Sequence, residues 1–329
     1  MKLKRYEHNP ILVANGNRAW ESGAVFNCGA TLGEDGLIYI LYRAIPKGYT
    51  KSPHGRGFKN YISSIGCATS EDGIHFVRFH DPIVEPNDAF DRFGCEDPRI
   101  TRLEGKGSVL YLITYTALSD PAFSGHGNRV ALASTKDFRT LQKHGVVIPD
   151  LESKDAVIFP ELVSGKIAML HRVLPETQIV YFKDWEQLIY PEKGFWRKYR
   201  DSLQEFIIMR PKYEWETKKI GPGPPPIKTQ AGWLLLYHGV DAAHVYRVGA
   251  VLLDMEEPSR VIARSPYPIL EPEEEYERIG DVNNVVFPCG AVVREGLLHV
   301  YYGGADKCCC LATSPLNDLL EHLSIFKTG

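Results

Sequence analysis

Phe93-Gly94-Cys95-Glu96-Asp97-Pro98-Arg99-Ile100 sets two adjacent carboxylates, a proline and an arginine between a glycine and an apolar run. Pro98 biases Asp97 towards an extended backbone. From Ile100 the pattern passes a turn at Glu104-Gly105-Lys106-Gly107 and continues as Ser108-Val109-Leu110-Tyr111-Leu112-Ile113-Thr114-Tyr115, which reads as a β-hairpin. Asp97 therefore sits at the mouth of a strand. An isolated Asp–Arg pair closing a turn would read the same way, so the weight falls on whether the layout recurs.

It recurs around the chain. A polar or proline-containing start, an apolar strand, a Gly-centred turn and a strand ending in Tyr, His or Arg appear at 26–43, 97–115, 154–172, 223–238 and 284–303. A third strand of small residues, Ala and Ser or Thr follows at 65–73 and 130–137, with a looser copy at 179–185, and 248–254 and 310–314 complete the set. Pro82-Ile83-Val84, Pro268-Ile269-Leu270 and Asn9-Pro10-Ile11-Leu12 read as outer fourth strands. Four antiparallel strands per unit, five times over, predict an all-β fold: a five-bladed β-propeller occupying residues 1–329 as one domain. The N-terminal strand is expected to complete the last blade and hide its free edge. Two stacked β-sandwiches are the alternative, which the even spacing disfavours. Only 318–322 and 185–189 read as short helical turns. Unit spacing is roughly 60 residues, above the 40–50 of common propeller repeats, so long loops are expected where sites are built.

Composition narrows the function. The 329 residues carry a formal net charge of −3 without a Lys/Arg stripe, which argues against nucleic acid or an anionic membrane as partner. No apolar run approaches a membrane span. Residues 1–8 are basic but lack an apolar segment, so no signal peptide is read. The seven cysteines lie mostly in apolar strand patterns, which suits reduced thiols in a cytoplasmic protein. Cys308-Cys309-Cys310 alternates faces and no CxxC pair exists, so no metal site is expected. The aromatic-rich stretch at 195–206 offers a contact surface for a homo-oligomer.

In a propeller the inner strands line the axis and their starts converge at one mouth. That brings Asn27, Asp97, Lys154 with Asp155, Lys228, and Asn283 with Asn284 together. The partner strands end at Arg43, Arg172, His238, Tyr302 and Asp306. Cations clustered with few acids suit an anion such as phosphate, whereas acids and amides suit sugar hydroxyls.

Seven segments carry a resemblance: GCEDPRIT (94–101), KDAVIFPE (154–161), MLHR (169–172), GPPPIKT (223–229), WLLLYHGV (233–240), VVFPCGAV (285–292) and YYGGAD (301–306). Together they are similar to glycoside hydrolase family 130, the inverting β-mannoside phosphorylases, which are five-bladed propellers. The resemblance implies that inorganic phosphate, as co-substrate and without further cofactor, cleaves a terminal β-mannosyl bond and releases α-mannose 1-phosphate. It implies Asp97 as the acid, its proton passing through the mannose 3-hydroxyl. It implies phosphate binding by Lys154, Arg172 and Lys228, with His238, and mannosyl binding by Asn27, Arg43 and Asp306. Where this chain has Lys154-Asp155, other members can carry Arg-Asn. His171 and Glu96 alternate away from the pore in this reading. An inverting hydrolase would instead need a second carboxylate to activate water, and Glu161 is the candidate. A non-catalytic carbohydrate-binding propeller is the third reading. Linkage and acceptor sugar stay open, set by loops at 47–59 and 123–129.

Overall fold

The structure is a computed structural model that describes residues 1–53, 57–105 and 108–327. Lys106 and Gly107 of the expected hairpin turn, and residues 54–56 of the first loop, lie outside the described residues.

Five antiparallel sheets follow one another around a pore. From the inner strand outward, blade one is Ala24–Leu32, Ile38–Ile45, Ser64–Ser70 and Val77–Arg78. Blade two is Cys95–Gly105, Ser108–Leu118, Asn128–Thr135 and Leu141–Ile148; blade three is Lys154–Ile158, Ile167–Val173, Glu176–Phe182 and Ile207–Met209. Blade four is Lys219–Pro222, Gly232–Val240, Tyr246–Leu253 and Val261–Arg264; blade five is Val286–Arg294, Leu297–Gly304, Cys308–Pro315 and Lys4–Arg5.

Each sheet buries both faces against its neighbours, which is why the middle strands read as nearly continuous apolar runs. Leu41 and Ile65 of blade one meet Ile113 and Tyr115 of blade two. Leu170 and Ile179 of blade three meet Leu235 and Val251 of blade four. The ring closes where Ile40 and Tyr42 of blade one meet Tyr301 and Leu311 of blade five.

Several outer elements differ from the sequence expectation. The strand that completes blade five is Lys4–Arg5, paired with Ala312 and Thr313, while Leu12 adds only a single bridge to Cys309. Val84 and Leu270 likewise make single bridges to the third strands, and the outer strands proper are Val77–Arg78 and Val261–Arg264. Proline lacks an N–H and punctuates these edges, so the visible Pro-Ile motifs marked neighbours of the edge strands. Helices form at Trp185–Ile189 and Leu316–Ser324, and also at Phe195–Asp201 and Glu275–Arg278. In the aromatic stretch Trp196 and Tyr199 are buried against Phe182 between blades two and three, and Phe195 and Phe206 are half-buried.

Candidate active site

The inner strands are bulged at the same place in three blades. Pairing registers shift between Phe26 and Gly29, between Glu96 and Arg99, and between Lys154 and Val157. Within each bulge one residue takes the left-handed conformation: Asn27 at φ 50°, Asp97 at 52° and Asp155 at 58°. Asn and Asp tolerate this region because their short side chains bond locally, and bulges re-aim side chains at sites. Asp97 is thus left-handed where its position before Pro98 predicted an extended backbone. The bulge also breaks strand alternation, so Glu96 and Asp97 both serve the pore.

Around Asp97 the contacts are polar and buried. Asn27 Nδ2 donates to Asp97 Oδ1 at 2.7 Å, and Arg43 Nη1 lies 3.5 Å from the same oxygen. Glu96 accepts from Arg43 Nη2 and, at 2.8 Å, from Lys154 Nζ. Burial opposes ionisation of Glu96, but Arg43 and Lys154 outweigh it and hold its carboxyl below the usual range. The Arg43 guanidinium packs 4.9 Å from the Phe26 ring and 5.4 Å from that of Tyr61. Asp306, reached from blade five, feels Asp97, Glu96 and Asp281; burial first, then these like charges, push its carboxyl up to about 7 against the pull of Arg43.

On the side of blades three and four lies a cluster of cations. Arg172 Nη1 is 3.0 Å from His238 Nε2 and 2.5 Å from Asp155 Oδ2. An arginine can only donate, so His238 Nε2 accepts and the ring is neutral with its proton on Nδ1. Burial drives the same way, holding His238 well below its ordinary range. Lys219 joins this cluster, its ammonium 5.1 Å from the Tyr246 ring. Burial, and the repulsion of Arg172, lower it to about 7. Five of the ten buried side-chain polar atoms without a hydrogen-bond partner among the described residues belong here: Asn27 Oδ1, Arg43 Nε, Asp155 Oδ2, Arg172 Nε and His238 Nδ1. Buried polar groups in folded proteins are generally paired, so this concentration suits a ligand-binding mouth.

Asn27, Arg43, Asp97, Lys154, Arg172, His238 and Asp306 are therefore brought together. Lys228 is not. It pairs with Trp233 at the far end of the strand that carries His238, five residues and roughly 17 Å away at the rise of a β-strand. There its ammonium is tied to Glu161, both side chains half exposed. The pairing breaks after Pro222, and past three prolines the chain rejoins the same inner edge at Ile227–Thr229, at the other end of the blade. The inner strand of blade four starts at Lys219, which sequence reading passed over because Lys-Ile-Gly-Pro is too short and too broken to show a strand pattern. Asn283 and Asn284 are exposed; Asn283 Oδ1 accepts from the Gly280 N–H, and Asp281 turns inward to Tyr49 and Tyr61 instead. Tyr302 faces away from the pore and donates to Glu277. His171, expected off the pore, is buried between Ser153 and Tyr199.

Asp97, held by an amide and an arginine beside buried cations in a propeller mouth, suits a carbohydrate-active propeller of the phosphorylase type. The chain belongs to glycoside hydrolase family 130: the family model described as beta-1,4-mannooligosaccharide phosphorylase matches residues 2–324. It is 39% identical over 319 residues to the 1,2-beta-oligomannan phosphorylase of Thermoanaerobacter sp. (strain X514), covering 97% of this chain and 99% of that one. It is similar to the solved β-1,2-mannobiose phosphorylase from Listeria innocua in complex with β-1,2-mannobiose, with a TM-score of 0.81 and 28% identity over 99% of this chain and 100% of that one. A further solved relative, with a TM-score of 0.79 and 27% identity over 96% of this chain and 94% of that one, is described as showing that these mannoside phosphorylases include glycoside hydrolases that target β-1,2 mannosidic linkages in Candida mannan.

Proposed function

We propose that the protein is a β-mannoside phosphorylase. The observation that carries this reading is the division of the mouth: Asn27, Arg43, Asp97 and Asp306 on blades five, one and two, and Arg172, Lys219 and His238 on blades three and four. The first set suits the mannosyl ring and the second a phosphate, with Lys154 between them held by Glu96. A phosphate oxygen attacks the anomeric carbon from the cation side. The glycosidic C–O bond breaks on the opposite face and the proton of Asp97 passes to the leaving oxygen. The products are α-mannose 1-phosphate and the shortened sugar. The chemistry needs inorganic phosphate as co-substrate and no other cofactor.

The hydrolase reading needs a carboxylate free to activate water. Glu161 is engaged with Lys228 at the far end of blade four. Asp155 is nearer, but despite its burial Arg172 and Arg99 hold it well below the carboxylate range, which makes it a poor base. The β-1,2 linkage is the first to test, given the likeness to the oligomannan enzyme. Tyr49, Phe58, Tyr61 and Phe123, in edge, stacked and tilted contact beside Arg43, supply an aromatic wall for the leaving sugar. All seven cysteines are free and buried, which suits a reducing, cytoplasmic setting.

The test is incubation of β-1,2- and β-1,4-mannobiose with and without phosphate. Mannose 1-phosphate formed only with phosphate is expected. Comparable free mannose in its absence would overturn the assignment.

A further inference from the structure

The cation cluster holds one group that an anion site does not need, the carboxylate of Asp155, which is 1% exposed. Arg99 Nη2 donates to its Oδ1 at 2.9 Å. Arg172 Nη1 lies 2.5 Å from Oδ2 as an ion pair, yet Oδ2 has no hydrogen bond of acceptable angle. His238 Nε2 stands 3.8 Å from that oxygen, and Gly221 leaves the room for it: a Cβ there would stand 2.8 Å away. Asp155 is the blade-three counterpart of Asn27 and Asp97, the left-handed residue of its bulge.

Charged and titratable groups face it from four blades. Blade two supplies Arg99 and Glu96, blade three Arg172 and Lys154, blade four Lys219, His238 and Tyr246, and blade five Cys289. Glu96 is matched by Arg43 and Lys154. Arg99 also donates to the backbone carbonyls of Asp97 and Gly223, which fixes it behind the site. A fixed negative charge therefore stands beside Arg172 and His238, where the reading above puts phosphate. A dianion feels twice the repulsion from it that a monoanion feels. Phosphate exchanges between the two forms near neutral pH, whereas sulfate offers the dianion alone.

We propose that Asp155 is a specificity-determining residue that makes the cradle take phosphate as its monoanion and turn sulfate away; this rests on the phosphorylase assignment. Its simpler role would be that of a counter-ion that aligns Arg172. The two roles differ in sign when Asp155→Asn removes the charge and keeps the shape. Under the specificity role, the inhibition constant for inorganic sulfate falls by about tenfold or more, the scale of losing one like charge. Under the counter-ion role, phosphate KM and the sulfate constant rise together, and that result overturns the proposal. If the variant does not fold, calorimetric titration of the wild type at about pH 6 decides: phosphate binding at least roughly tenfold tighter than sulfate is expected, and equal affinities would reject it. Failure of the phosphorylase assignment is seen separately, as wild-type protein that forms no mannose 1-phosphate.

Discussion

Asn27 donates through Nδ2 to Oδ1 of Asp97 over 2.7 Å, a bond between the left-handed residues of two neighbouring blades. Arg43 approaches the same oxygen at 3.5 Å. Asp97→Asn keeps the shape and removes the transferable proton. The expected loss is about 10²–10⁴-fold in kcat, the usual contribution of a positioned acid. Melting temperature should stay close to wild type. Turnover near the wild-type rate on a β-mannoside with phosphate would disprove the assignment of the acid.

Gly303 allows that bond. A Cβ at this position would lie 2.0 Å from Asn27 Oδ1 and 2.9 Å from the Asn27 backbone nitrogen. Gly303→Ala must push Asn27 off Asp97, at a stability cost of about 1–3 kcal/mol, typical of overpacking. Activity should fall together with stability. The check is a melting curve beside kcat; a variant with normal turnover would show that Asn27 does not orient the acid.

Asp306 gives a pH signature. Its folded carboxyl is raised to about 7 from an ordinary 3.8, chiefly by burial and then by Asp97 and Glu96. Between those values the folded protein keeps a proton that the unfolded chain releases. The stability that this proton supplies is complete below the lower value and is lost as pH rises through the upper one. Asp306→Asn does not titrate. Its melting temperature relative to wild type should therefore climb from acid to neutral pH, while its KM for the mannoside worsens. A constant difference across that range would place the proton elsewhere.

The propeller was legible because each blade repeats one hairpin with a Gly-centred turn, and because burial of both sheet faces writes long apolar runs. Asp97, Arg43, Arg172 and His238 were legible because they cap such runs. The bulges were not. Period-two alternation sends Glu96 away from the pore, whereas the left-handed turn at Asp97 brings both carboxylates to it. Blade four misled for a related reason: its inner strand is interrupted by Gly223 and three prolines, so the second piece of that inner edge, at the far end of the blade, looked like the start.

That misreading yields the sharpest comparison, between Lys219 and Lys228. Both are lysines on the broken inner edge of blade four, and only their partners differ. Lys219 lies by Tyr246 in the cluster with Arg172, and its ammonium is lowered to about 7 by burial and by Arg172. Lys228 is half exposed and neutralised by Glu161. Exposed pairs contribute about 0–1 kcal/mol, whereas a charge-assisted bond to a buried anion contributes about 1.5–3 kcal/mol. Lys219→Ala should raise the KM for phosphate by roughly tenfold or more, at about 1.4 kcal/mol per decade, with little change for the mannoside. Lys228→Ala should leave both constants within about twofold, the scale of a surface pair. Because only the charged form of Lys219 can pair with an anion, the proposed role predicts that wild-type KM for phosphate also climbs as pH passes about 7. Steady-state kinetics with phosphate varied at several pH values make all three measurements. A strong phosphate defect in Lys228→Ala with none in Lys219→Ala would return the anion site to the proline-flanked strand.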